Sequence, residues 1–215
     1  MATTYGSSSV SSTPVFRGAV SALTDTVAEL LEKPLPKPSR DPVGYASARA
    51  LEALLESLMA LEYLGKGYTR NAAGKAFQAW RALTAAILAL ERDKVLERLE
   101  DEKEKEWFLK RGLPRVPSSR LKALGQLVED LGYPNYGPYT DRVLNLHDYQ
   151  YHGPDPSGEF SKYTVHREAA KDIVYILAKL VDIIEERVKH KLEEARTWSE
   201  IHEETLKRLK QMLNG

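Results

Sequence analysis

Three residues stand where metal-free chemistry on a phosphate could be done: Arg142, His147 and Tyr149, in the run Arg142-Val-Leu-Asn145-Leu-His147-Asp-Tyr149. Arginine offers a permanently charged fork of donors that matches a phosphate. Histidine is the side chain whose unperturbed pKa lies nearest neutrality, so it can give or take a proton there. Such a pair is what cleavage of an RNA phosphodiester without a metal requires. Five residues are about 1.4 helical turns, so the two side chains point in related but different directions and grip one anion only where the helix end is irregular. With 5 histidines in 215 residues the pattern is short and degenerate. A structural reading stands beside the chemical one. His147 would close a helix end or bond within the core, and Arg142 would pair with Asp141, Asp148 or a glutamate of the helix predicted over 45–66. The sequence leaves both open.

Other residues could complete such a site. Asn71, Lys75 and Gln78 recur at i, i+4 and i+7, a polar stripe that either lines a cleft as anion and base contacts or is simply a solvated face. Asn145 and His152 are further substrate contacts, His152 also a reserve acid or base. Tyr133, Tyr136, Tyr139, Tyr149 and Tyr151 could stack unpaired bases or pack a loop onto the core.

Several chemistries are excluded. The chain has no cysteine, which removes disulfides, thiolate metal sites and cysteine nucleophiles. Gly74-Lys75 lacks the preceding glycine of a phosphate-binding P-loop, and Ala76 stands where a hydroxyl must hold magnesium. A di-iron bundle needs Glu three residues before a histidine, but those positions hold Leu144, Tyr149, Tyr163, Arg187 and Ser199. There is no dinucleotide fingerprint, and neither a metal nor a cofactor is expected. Thirty-one basic residues balance 31 acidic ones, which argues against non-specific coating of a polyanion but allows a local basic cleft. No apolar run is long enough to span a membrane, the first residues do not read as a secretory leader, and the cytosol is the expected compartment. High charge, absent cysteine and a proline-stiffened linker would suit a hot environment.

The elements that must position these residues are helical throughout. Residues 1–17 read as a flexible Ser/Thr-rich tail. Residues 18–42 hold a short helix, with Val20, Leu23, Val27, Leu30 and Leu31 on one face, and a strap of Pro34, Pro36, Pro38 and Pro42. Apolar spacing predicts helices over 45–66 and 70–91, the second crowded with alanine and presenting Ala72, Ala76, Ala79 and Leu83 to close neighbours. Residues 93–110 form a charged helical arm stopped by Pro114 and Pro117. Ser118 or Ser119 is placed to cap a helix to about Leu131. A turn is predicted over 132–138, a short helix over 140–149, a loop over 152–161, and a long helix over 167–194. The main bundle is drawn at 43–196. An amphipathic helix at 197–215 covers either its own bundle or a second subunit.

Arg70-Asn-Ala-Ala-Gly-Lys-Ala-Phe-Gln-Ala-Trp80, Leu146-His-Asp-Tyr-Gln-Tyr-His-Gly-Pro-Asp155 and Arg167-Glu-Ala-Ala-Lys-Asp-Ile173 together resemble the archaeal PaREP family within the HEPN superfamily. The resemblance spans roughly residues 40–190. It implies an all-α, HEPN-like up-and-down helical bundle, here with an extra N-terminal helix, a charged helical arm and a C-terminal helix. It implies a homodimer bringing two Arg/His motifs to one cleft, and in many members a metal-independent endoribonuclease. Carried over, His147 would be the general acid/base, Arg142 would hold the scissile phosphate, and Tyr149 would be a site of nucleotidyl modification by an antitoxin-like partner. Val143 departs from the pattern, since active nucleases often carry a polar residue after the arginine. The alternative is a non-catalytic nucleotide- or RNA-binding or protein-interaction module, as in the toxin-like partner of a nucleotidyltransferase.

Overall fold

The computed structural model describes residues 33–215, and among them every regular element is helical. The predicted tail and the predicted helix over residues 20–31 lie outside the described residues. Eight helices follow in order. α1 spans Pro42–Gly65 and α2 Thr69–Leu90. α3, Arg92–Arg98, and α4, Glu102–Trp107, make the charged arm, with α4 prolonged by a π turn, Phe108–Gly112, and a last turn, Leu113–Arg115. α5 is Leu121–Asp130 and α6 is Tyr136–His152. α7 runs over His166–Ile183 and continues through a π turn, Ile184–Val188, to Lys189–Glu194; α8 is Glu200–Asn214. No described helix is long and apolar enough to cross a membrane.

Alanine decides the centre. Ala72, Ala76, Ala79 and Leu83 of α2 are fully buried, as their spacing predicts, and their small side chains let α1, α6 and α7 close around one helix. The crossing of α2 with α6 is tied by a buried polar network. Trp80 Nε1 donates to Thr140 Oγ1 at 3.0 Å, Thr140 Oγ1 donates to the Tyr136 carbonyl at 2.8 Å, and Thr84 Oγ1 lies 2.9 Å from Tyr136 Oη. The Trp80 and Tyr136 rings pack with centroids 4.6 Å apart. Gly125 of α5 leaves the space that Thr140 occupies, since a Cβ there would stand 2.5 Å from Thr140 Oγ1.

Two helix starts differ from the sequence reading. Gly137 and Pro138, predicted in a turn, belong to the first turn of α6. Proline fits there because a first-turn N–H has no partner within the helix to lose. Glu129 supplies the cap from α5, accepting from the backbone N–H groups of Asn135 at 3.2 Å and Gly137 at 3.0 Å. Ser118 and Ser119 cap nothing; they form a tight turn, Ser118–Arg120, ahead of α5. His152, predicted in a loop, is the last residue of α6, which Gly153 ends with φ +74°.

The loop to α7 hangs on Asp155, whose carboxylate accepts from the N–H groups of Ser157, Gly158, Phe160 and Ser161. These bonds and that from the Ser157 hydroxyl hold its pKa below the usual carboxylate range. α8 covers its own bundle. Leu206 and Leu209 are buried, and His202, 3% exposed, lies with Nε2 3.0 Å from the Ser47 carbonyl of α1 and Nδ1 2.7 Å from Ser199 Oγ.

The same substitution at two glycines is expected to act in opposite directions. Gly125→Ala forces a methyl into Thr140 and should cost about 1–3 kcal/mol, whereas Gly65→Ala has nothing within 4 Å of the new Cβ and should stabilise by up to about 1 kcal/mol through helix propensity. Denaturant midpoints for the two variants check this.

Candidate functional site

The polar stripe of α2 opens onto a groove of about 520 Å³ between α2, the end of α6 and the end of α1. Asn71, Lys75 and Gln78 form one wall, Gln150 and Tyr151 the other, and Tyr63 the end. Gly74 lets the Gln150 amide lie against α2, because a Cβ there would stand 2.4 Å from Gln150 Oε1 and turn that side chain aside. Arg70 locks the second wall in place. Its Nε donates to the Gln150 carbonyl at 3.0 Å and Nη2 to the Tyr151 carbonyl, using acceptors that the last turn of a helix leaves without partners. Lys75 Nζ sits 2.9 Å from the buried Glu56 carboxylate behind the groove. Burial raises the pKa of Glu56 and Lys75 opposes that rise. Tyr151, 63% exposed, presents its ring to solvent at the rim.

His147 stands at the edge of this groove. Its ring stacks on Phe77 of α2 at 3.9 Å and 17°, and meets Tyr151 edge-on at 5.2 Å. Gln150 Nε2 lies 2.6 Å from His147 Nδ1, so the amide donates and the neutral imidazole carries its proton on Nε2. Burial holds the His147 pKa below its ordinary value; Asp148 opposes this and Arg81 adds to it. Arg81 also lies over the ring of Phe77, 5.7 Å from its centroid.

Arg142 is not brought to His147. α6 is regular through His152, so five residues turn the chain by about 140° and the two side chains leave on different sides. Arg142, with 43% of its side chain exposed, bonds Asp172 of α7 at 3.1 Å and lies over the Tyr175 ring at 4.6 Å. The same Asp172 accepts from Tyr163 Oη at 2.8 Å. Its partner is therefore none of the carboxylates expected from sequence. Asn145, half-buried, does not line the groove. Tyr149 is 1% exposed and packs edge-on against Tyr163, which withholds it from solvent and from a modifying partner. His152 stacks on Phe160 in the following loop.

The groove thus gathers Asn71, Lys75 and Gln78, with His147 at its edge, and leaves out Arg142, Asn145, Tyr149 and His152. Of the five tyrosines, Tyr133, Tyr136 and Tyr149 are core residues, Tyr139 is half-buried and Tyr151 is exposed. Sequence reasoning missed Arg70, Tyr63 and Gln150. Gln150 was within reach, since it follows His147 by three residues and so shares its face. Arg70 and Tyr63 carry no such signal, because their place depends on how α1 and α2 meet α6.

Fold and groove define a class: an all-α bundle with an open, cation-bearing polar groove along its central helix. The family model described as the archaeal PaREP1/PaREP8 family matches residues 48–174, more than half of the chain, and the chain belongs to that family. No curated protein and no solved structure matches it.

The His147 imidazole should titrate below about 6.5, and Asp148→Asn should lower it further by removing the carboxylate that favours the charged form. Burial depresses His202 as well. An imidazole whose pKa falls on folding binds its proton more readily when unfolded. The stability it contributes is present above about pH 6.5 and lost as pH falls through the folded value. NMR titration of the ring protons and melting temperature against pH check both statements.

Proposed function

We propose that the protein is an HEPN-type bundle that binds single-stranded RNA or its nucleotide units in the groove between α2 and α6. One observation carries the reading: the residues lining the groove include two cations, three side-chain amides and two tyrosines, and no carboxylate. Arg70 and Lys75 attract phosphate, the amides of Asn71, Gln78 and Gln150 can donate to and accept from base edges, and Tyr63 and Tyr151 offer ring faces for stacking. A groove of about 520 Å³ falls in the range of small-ligand sites. Tyr68, also exposed, extends the aromatic surface beside Tyr63 at a centroid distance of 6.5 Å.

A second reading, metal-independent RNA cleavage, has one observation in its favour. The His147 imidazole, whose pKa burial lowers, stands beside Gln150 and Tyr151 at the groove edge, where its Nδ1 would act as a general base once released from Gln150. Arg142, paired with Asp172, lies outside both readings.

Fluorescence anisotropy with a short single-stranded RNA tests the proposal. Wild type should bind, more weakly as salt rises. Tyr151→Ala should weaken binding about tenfold, by the loss of one stacked base, and Asn71→Glu at least as much, by placing a carboxylate against phosphate. Binding unchanged in both variants, or absent at low salt, would overturn it. The same RNA incubated in EDTA decides the second reading: cleavage by wild type that disappears in His147→Ala establishes it, and intact RNA with both rejects it.

A further inference from the structure

A second, smaller cavity opens beyond Gln78, bounded by Arg49 of α1, Arg81 of α2 and Arg115 at the end of α4. Its volume is about 80 Å³, against about 30 Å³ for a water molecule in the liquid, so it has room for an oxyanion of a few heavy atoms and little more. Three arginines and one carboxylate line it, that of Glu52, which is held by Arg49 Nη1 at 2.7 Å. Arg49 Nε donates to Tyr45 Oη at 3.0 Å. The bonds of Arg81 all go to neutral oxygens: the Val116 carbonyl at 3.0 Å, the Arg115 carbonyl at 2.9 Å and Gln78 Oε1 at 3.0 Å. Among the described residues the arginines in ion pairs are Arg49, Arg142 and Arg208; neither Arg81 nor Arg115 is one of them.

A half-buried guanidinium with no ion-pair partner is costly, because neutral acceptors replace its water contacts without balancing its charge. Burial first, and next the charge of Arg49, lower the pKa of Arg81, with Glu52 and Tyr45 acting against them. A bound anion would balance these charges, and forked guanidinium donors match the oxygens of a phosphate.

We propose that the pocket of Arg49, Arg81 and Arg115 binds a dianionic phosphate group, with Gln78 as the partition between it and the groove. Arg81 is the fixed donor, oriented by its own backbone contacts. Arg49 is held on one side by Glu52 and Tyr45, and Arg115, exposed, closes over the anion from the rim. The proposal rests on the charge and size of this pocket, not on the groove being an RNA site. Two sources share the chemistry, free phosphate and the terminal phosphate of a nucleotide or an RNA end.

Melting of the full chain in inorganic phosphate, against chloride at matched ionic strength, tests the site. Phosphate is expected to raise the melting temperature of wild type in a concentration-dependent way. Arg115→Glu, at an exposed position, and Arg49→Gln should each weaken the apparent affinity about tenfold or more through loss of one charge-assisted contact. Lys207→Ala, an exposed residue that lines neither site, should leave phosphate binding unchanged. Adenosine 5′-monophosphate binding at least tenfold tighter than phosphate, with the excess lost in Tyr151→Ala, would assign the nucleotide source; equal affinity would assign free phosphate. No phosphate-specific shift, or a shift that survives both arginine variants, would overturn the proposal.

Discussion

The crossing of α2 and α6 over Trp80 and Thr140 governs where every other candidate residue lies. Three helices meet there, because Thr140 occupies the space that Gly125 of α5 leaves open while accepting from Trp80 of α2. Each bond of such a network contributes about 1 kcal/mol net, but a buried donor left alone costs about 1–3 kcal/mol. The network therefore penalises a slipped register more than it rewards the correct one. With the register held, the last two turns of α6 come down beside Gly74, and His147, Gln150 and Tyr151 meet the polar stripe of α2. Arg70 then fastens the end of α6 through its terminal carbonyls, so the groove is bounded by two helices that cannot slide independently.

Much of this was legible in the residues. Helical periodicity and the alanine row of α2 mark the central helix, and the stripe of Asn71, Lys75 and Gln78 is visible as spacing alone. The identity of the site was not. Arg142 and His147 form a pair only along the chain. A straight helix sends them to different neighbours, and the choice of those neighbours, Asp172 and Phe77, is made by α7 and α2 from far along the sequence. Gly137 and Pro138 were similarly misread, since the cap that lets a helix begin there comes from Glu129 on the preceding helix. The tyrosines show the same limit: Tyr136 and Tyr151 share a residue type and a helix, and tertiary packing alone makes one a core ring and the other an exposed face.

A formally neutral chain can still carry a cationic strip, because its charges are sorted in space. Along the outer face of α2 the cations Arg70, Lys75 and Arg81 stand with amides between them, and the acids nearest them, Glu52 and Glu56, lie on α1. Glu56 is drawn beneath Lys75, and Glu52 is bound to Arg49. The groove and the arginine pocket sit on this one strip and meet at Gln78, whose oxygen accepts from Arg81. Membership of the PaREP1/PaREP8 family covers the helices that build the strip, since the matched region runs from within α1 into α7.

On the proposed reading α2 and the end of α6, rather than the Arg142 side of α6, meet a nucleotide. Titrating isotopically labelled protein with a short single-stranded RNA and following the backbone amides by NMR tests that claim directly. The account requires the perturbed signals to cluster at 70–81 and 147–151, with Asp172 and Tyr175 still. Perturbations centred on Arg142, Asp172 and Tyr175, or spread evenly over the molecule, would contradict it.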